Sequence, residues 1–194
     1  MRLCFATNNE HKLTEVRALL PASIELVSLR DIGCHEELPE TRDTLAGNAR
    51  QKAEYVWEHY HTACFADDTG LEVTALAGAP GVYSARYAGP QRAAADNIDK
   101  VLHELRGAAD RSAQFRTVVA LVLPTGEWHE FHGVVEGTIT EELRGAEGFG
   151  YDPVFQPAGQ VETFAQMPLS QKNTLSHRAR AVEQLVAFLQ KMEK

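Results

Sequence analysis

Apolar residues fill Arg2–Ala6, and polar residues fill Thr7–Lys12, which predicts a buried first strand followed by a polar turn. Leu13, Val16, Leu19 and Leu20 then recur at i, i+3, i+6 and i+7, predicting an amphipathic helix that Pro21 ends. Ile24–Leu29 predicts a second strand, and residues 31–40 read as an acidic, irregular approach. A helix is expected from about Asp43 to His59, with Leu45, Ala49, Ala53, Val56 and Trp57 buried. Thr62–Ala66 predicts a short buried strand ending in Asp67-Asp68-Thr69-Gly70, where the glycine is expected to turn the chain sharply. Leu71-Glu72-Val73 alternates like a strand, and residues 78–89 form a long loop around Pro80-Gly81.

Further on, Ala93–Arg106 predicts a helix closed by Gly107. Phe115–Leu123 predicts a strand, Pro124-Thr125-Gly126 a turn, and Trp128–Val135 a hairpin partner whose strand continues to Thr140. The last helix opens at Ser176-His177-Arg178 and is expected to bury Val182, Leu185, Val186, Leu189 and, at its end, Met192. With Ser176 as N-cap, His177 and Arg178 are expected to face outward from the core. Strand and helix units come first and antiparallel strands later, so the fold class is α/β, read as one domain over residues 1–194 with two lobes.

The 194 residues carry a formal charge of −8, which argues against a general nucleic-acid binder. No apolar run approaches the ~20 residues of a membrane span, and the short apolar start does not read as a signal peptide. Cys4, Cys34 and Cys64 form no paired spacing, so no disulfide framework or structural zinc site is indicated and a cytoplasmic location is expected.

The candidate chemistry centres on Asp67 and Asp68. Adjacent residues of a strand point to opposite faces, so one carboxylate can face a ligand while the other props the loop. A carboxylate at a strand end suits Mg²⁺ with substrate phosphates, and Glu40, before the second helix, is a candidate second ligand. The polar turn before the first helix forms an anion site, to which Lys12 adds a positive charge. Asn48 and Lys52 are i, i+4 neighbours on one helix face. Glycines around Phe149 and Tyr151 allow close approach to a flat ligand, on which an aromatic ring stacks. Lys172, His177 and Arg178 gather cations near the last helix.

Five stretches occur here in the order of one family: Thr7-x-Asn9-x-x-Lys12, Phe65-Ala66-Asp67-Asp68-Thr69-Gly70-Leu71, residues 78–86, Gly148-Phe149-Gly150-Tyr151-Asp152-Pro153, and Ser176-His177-Arg178. Over residues 2–190 the chain resembles the inosine triphosphate pyrophosphatases, which hydrolyse aberrant purine nucleoside triphosphates to the monophosphate and pyrophosphate. The resemblance implies a mixed, twisted sheet with flanking helices, two lobes around a deep substrate cleft, and a homodimer. It implies that Asp68 is the general base and a Mg²⁺ ligand, with Glu40 the second metal contact. Thr7, Asn8, Asn9, Lys12 and Lys52 would cradle the triphosphate, and Thr69 would contact substrate. Phe149 would stack on the base within the loop of Gly150 and Tyr151, and Asp152, Lys172, His177 and Arg178 would line the base's polar edge, where Lys172 and Arg178, which only donate hydrogen bonds, would favour a purine with an oxygen at position 6 over adenine. The sequence departs from the family at Gly47, where many relatives carry Glu.

Two other classes remain open at this point. A phosphatase of the haloacid-dehalogenase type also uses a strand-end aspartate, but Asp67-Asp68-Thr69 does not match its Asp-x-Asp-x-Thr spacing. A purine-nucleotide sensor would keep the base pocket and lysines yet need no paired metal carboxylates.

Overall fold

The computed structural model describes residues 1–192. Among these residues six strands form one mixed sheet in the order β2-β1-β3-β4-β5-β6. They are β1 (Arg2–Phe5), β2 (Glu25–Val27), β3 (Cys64–Val73), β4 (Ser112–Val122), β5 (Trp128–Ile139) and β6 (Phe155–Pro157). The helices are α1 (Glu10–Arg17), α2 (Leu45–Tyr60), α3 (Ala94–Glu104), α4 (Leu169–Lys172) and α5 (His177–Met192). β1 pairs in parallel with both β2 and β3, while β5 and β6 run antiparallel. The strand-and-helix start and the antiparallel later sheet follow the sequence pattern. No helix among the described residues is long and apolar enough to cross a membrane.

The chain divides into two compact units. Unit 1 holds Met1–Asp68, Thr117–Gly133 and the chain from Arg178 on; unit 2 holds Thr69–Arg116 and Val134–His177. Unit 1 has a core in which Leu3, Phe5, Phe65, Val119, Leu121 and Phe131 meet Leu13 and Val16 of α1 and Val182, Leu185 and Leu189 of α5. The Phe5 and Phe65 rings stack with centroids 4.6 Å apart. Cys64 has the opposite parity in β3, and its Sγ points to the carbonyl of Ala53 in α2, 3.1 Å away. Odd positions of β3 in this unit therefore face α1 and α5, and even positions face α2. Unit 2 has its own core, where Leu71, Val73, Phe115, Val135 and Ile139 pack with Ile98 and Val101 of α3 and with Phe155 and Phe164.

Five expectations are corrected. β3 does not end at the aspartates but runs on through Thr69 and Gly70 to Val73. Gly70 keeps the extended strand conformation, and what it provides is space: a Cβ there would lie 2.6 Å from the carbonyl oxygen of Gly81. α1 stops at Arg17, so Leu19 and Leu20 pack against the core from beyond the helix rather than within it. Met192 is 52% exposed, because the apolar stripe of α5 leaves the core after Leu189. Neither His177 nor Arg178 faces outward: they are 3% and 1% exposed, His177 stacked on Phe115 and Arg178 drawn in by two carboxylates described below.

Candidate active site

Strand parity sorts the two central aspartates. Asp67 shares the parity of Phe65 and so faces α1 and α5. Its Oδ1 accepts from Lys12 Nζ at 2.8 Å and its Oδ2 from Arg178 Nε at 2.9 Å. Arg178 Nη1 also donates to Glu15 of α1. Both Asp67 and Arg178 are 1% exposed, and Glu15 is 4% exposed. Burial alone would raise the Asp67 carboxyl, but Lys12, Arg178 and Lys52 outweigh it and hold its pKa well below the ordinary range. Arg178 is likewise kept charged against burial by Asp67 and Glu15.

Asp68 faces α2. Its Oδ2 accepts from Asn48 Nδ2 at 3.2 Å, and its Oδ1 lies 3.7 Å from Lys52 Nζ. Lys52 Nζ donates to Glu40 Oε1 at 2.6 Å and to the main-chain oxygen of Asp67 at 2.8 Å. Burial raises the Asp68 pKa above its ordinary value; Lys52 and Lys12 pull it down, and Glu40 adds to the rise. Burial would lower the Lys52 pKa, but Asp68, Glu40 and Asp67 together raise it, so the ammonium persists.

This side-chain set is held by the start of α2. Thr44 caps the helix by accepting from the Gly47 N–H at 3.0 Å, and Asn48 Oδ1 accepts from the Arg42 N–H at 2.9 Å. The segment before the helix thus folds back over its first turn. Gly47 leaves room for that fold-back: a Cβ there would stand 2.8 Å from Arg42 Cβ and 2.9 Å from Thr44 Oγ1.

At the other helix start, Asn9 is the N-cap of α1, its Oδ1 accepting from the N–H groups of His11 and Lys12 at 3.0 and 3.2 Å. Thr7 Oγ1 accepts from the Asn9 N–H at 3.2 Å, and Asn8 Nδ2 donates to the Glu36 carbonyl at 3.2 Å. Two of the N–H groups expected to face an anion are therefore engaged by Asn9.

Within unit 2, Asp152 organises the glycine-rich loop. Its Oδ2 accepts from the Phe149 N–H at 2.9 Å and from Lys172 Nζ at 2.6 Å. Lys172 Nζ lies 5.1 Å from the centroid of the Phe149 ring. Gly148 has a φ of +75°, and a Cβ there would fall 2.1 Å from Asp152 Oδ2. Gly150 also takes a positive φ, +60°. Tyr151 is buried, its hydroxyl donating to the Ser84 carbonyl at 2.8 Å. The His177 ring stacks on Phe115 with centroids 4.6 Å apart. Thr69 follows Asp68 directly in β3 and is half-buried.

The structure thus gathers Lys12, Glu40, Lys52, Asp68 and Arg178 around β3 in unit 1, and Phe149, Tyr151, Asp152, Lys172 and His177 around one loop in unit 2. The donors expected to read a purine 6-oxygen, Lys172 and Arg178, are both engaged on carboxylates. Three participants escaped the sequence reading. Glu15 lies beside Leu13 and Val16 in the buried stripe of α1, and a carboxylate in an apolar stripe is the signal that would have found it. Asn48 was read as sharing a face with Lys52 but was given no role. Ser84 carried no local signal beyond its place in the ordered residues 78–86.

Among the described residues no group of three or more His, Cys, Asp or Glu side chains is gathered as a metal cluster. Glu40 and Asp68 nevertheless converge on one ammonium, at 2.6 and 3.7 Å from Lys52 Nζ. A pair of carboxylates meeting at a cation matches the donor set of Mg²⁺, which takes one or two carboxylates with phosphate and water. Apart from these residues, unit 2 carries a polar cavity of about 670 Å³ lined by Glu72, Gln114, Glu136 and Gln156 among others.

The sequence model of the Ham1 family matches residues 3–188. The dITP/XTP pyrophosphatase of Porphyromonas gingivalis is 55% identical, covering 97% of this chain and 97% of that protein. That of Flavobacterium johnsoniae is 53% identical over 189 residues, covering 97% and 98%. The solved structure of the Staphylococcus aureus Ham1 protein superposes with a TM-score of 0.89 at 37% identity, covering 100% of both chains.

Proposed function

The chain belongs to the Ham1 family, and we propose that it hydrolyses the ribo and deoxyribo triphosphates of inosine and xanthosine to the nucleoside monophosphate and pyrophosphate. The carrying observation is the buried Asp68, which Asn48 and Lys52 hold on the face of β3 opposite Asp67. Its relatives' shared name, dITP/XTP pyrophosphatase, supports the substrate class.

In the reaction, the Asp68 carboxylate takes a proton from water as the water oxygen attacks the α-phosphorus. The bond from that phosphorus to the α–β bridging oxygen breaks, and pyrophosphate leaves with the bonding electrons. A raised pKa makes Asp68 a stronger base than an exposed aspartate, as general-base catalysis near neutral pH requires. Lys12 and Lys52, with Thr7, Asn8 and Asn9, bind the triphosphate, and Thr69 contacts it beside the base. Phe149 stacks on the purine, backed by Gly150 and Tyr151; Asp152, Lys172 and His177 set its polar edge, while Arg178, expected to join them, is held by Asp67 and Glu15. Asp68 and Glu40 would hold Mg²⁺, which when bound offsets the charge of the triphosphate. The rate gain comes chiefly from positioning and charge neutralisation. We assign the protein to the cytoplasm as a one-domain subunit of a homodimer.

The test is pyrophosphate release across a panel of ITP, dITP, XTP, GTP and ATP, with Mg²⁺ and with excess chelator. Inosine and xanthosine triphosphates are expected to be cleaved at least ~10²-fold faster than ATP, a factor equal to about 2.8 kcal/mol. Chelator should abolish activity and added Mg²⁺ restore it. Orthophosphate as the first product, or equal rates for ITP and ATP, would defeat the assignment. Full turnover in chelator would remove the metal from it.

A further inference from the structure

Residues 78–86 are the one stretch of the family pattern that the chemistry above leaves unused. In unit 2 they form a turn, Gly81–Arg86, that lies directly on β3 just beyond Asp68 and Thr69. The approach is as close as backbone allows, since a Cβ on Gly70 would meet the Gly81 carbonyl oxygen at 2.6 Å. Ser84, 7% exposed, locks the turn in place. Its Oγ accepts from the Leu71 N–H at 2.9 Å and donates to the Gly81 carbonyl at 2.6 Å.

The main-chain oxygen of the same serine accepts from the Tyr151 hydroxyl at 2.8 Å. Tyr151 sits two residues from Phe149 and next to Asp152, and it is 5% exposed. Burial pushes its phenol pKa far up, with the charges of Tyr87 and Glu104 adding to the rise, so it remains a neutral donor. The Tyr151 carbonyl in turn accepts from the N–H groups of Val154 and Phe155 at 3.0 and 3.1 Å, which fixes the far side of the loop. A continuous hydrogen-bonded path therefore leads from Leu71 of β3, through Ser84, to the loop that carries Phe149 and Asp152.

We infer that Ser84 and Tyr151 are positioning residues that fix the Phe149–Asp152 loop relative to the strand segment following Asp68, and so set base recognition without touching substrate. The inference rests on the proposed nucleotide chemistry for its kinetic consequence, but the brace itself is independent of it. It also changes the place of Tyr151, whose hydroxyl is spent on Ser84 rather than on a ligand.

Two measurements test it on the full chain. In amide hydrogen exchange, Tyr151→Phe and Ser84→Ala should each speed exchange of peptides over residues 148–153 by roughly tenfold, a factor equal to about 1.4 kcal/mol. Ser84→Ala alters no atom of that loop, so a response there requires the path. Val101→Ala, a core truncation in α3, serves as the control for general loosening and should leave those peptides unchanged relative to the rest of unit 2. In steady-state kinetics, both variants should raise KM for dITP by roughly tenfold and narrow the dITP-to-ATP ratio, with kcat held within about twofold; Ser84→Thr, which keeps the hydroxyl, should recover most of the loss. Unchanged exchange at 148–153 in both variants overturns the brace. Faster exchange with an unchanged KM and nucleotide ratio overturns its role in recognition. A native protein that hydrolyses no purine triphosphate defeats the functional assignment instead, while the exchange experiment still decides the brace.

Discussion

Asp68→Asn is expected to lower kcat for dITP at least ~10²-fold, the low end of a general-base contribution, with KM changed no more than about threefold. The substitution is nearly isosteric, so its amide oxygen can still accept from Asn48, which donates to Asp68 Oδ2 at 3.2 Å. Lys52 keeps Glu40 at 2.6 Å and the Asp67 carbonyl at 2.8 Å, so the ammonium is not stranded. What disappears is the anion proposed to accept the proton of water and one of the two carboxylates proposed to hold Mg²⁺. Because burial disfavours the ionised form of Asp68, the neutral amide should not destabilise the fold and is expected to match or slightly exceed the native Tm. A fall in turnover with no loss of Tm separates chemistry from folding. A near-native kcat in a folded Asp68→Asn protein would take the general-base role away from Asp68.

Much of this arrangement is legible because β3 obeys a two-residue period. Phe65 and Asp67 on one face, Cys64 and Asp68 on the other, follow from alternation alone, and the helix pattern places Asn48 and Lys52 on a shared face of α2. What alternation does not reveal is where an element stops for a reason lying elsewhere in the chain. Gly70 looks like a turn residue, yet it is needed because the Gly81 carbonyl packs against it, a contact that no local pattern encodes. β6 and α4, of three and four residues, are too short to show a period. Arg178 reads as an exposed cation at a helix start because its partner Asp67 lies 111 residues away in sequence. A cation at a helix N-terminus is disfavoured only slightly by the helix dipole, and two buried carboxylates outweigh that penalty.

Asp67→Asn is expected to cost about 3–5 kcal/mol of stability, the range for removing one partner from a buried ion pair. Asp67 binds two cations at once, Lys12 at 2.8 Å and Arg178 at 2.9 Å, and it is 1% exposed. Glu15 remains to pair with Arg178, so the loss falls mainly on Lys12 and on the shared geometry of the α1 and α5 side chains around β3. For a chain of this size the change corresponds to a fall in Tm of roughly 6–20 °C, readable by thermal or urea unfolding. The pH dependence carries a definite sign. The folded-state pKa of Asp67 is depressed, with burial opposing and Lys12, Arg178 and Lys52 prevailing, so its stabilisation is fully present above the unfolded-state pKa of about 3.9. The gap between native and Asp67→Asn proteins should thus be flat through neutral and mildly acid pH and shrink only below about pH 4, where Asp67 takes up a proton in the unfolded chain while the folded carboxylate stays ionised down to its depressed pKa. A gap under ~1 kcal/mol at pH 7, or one that shrinks as pH rises from 5 to 8, would show that Asp67 does not anchor Lys12 and Arg178.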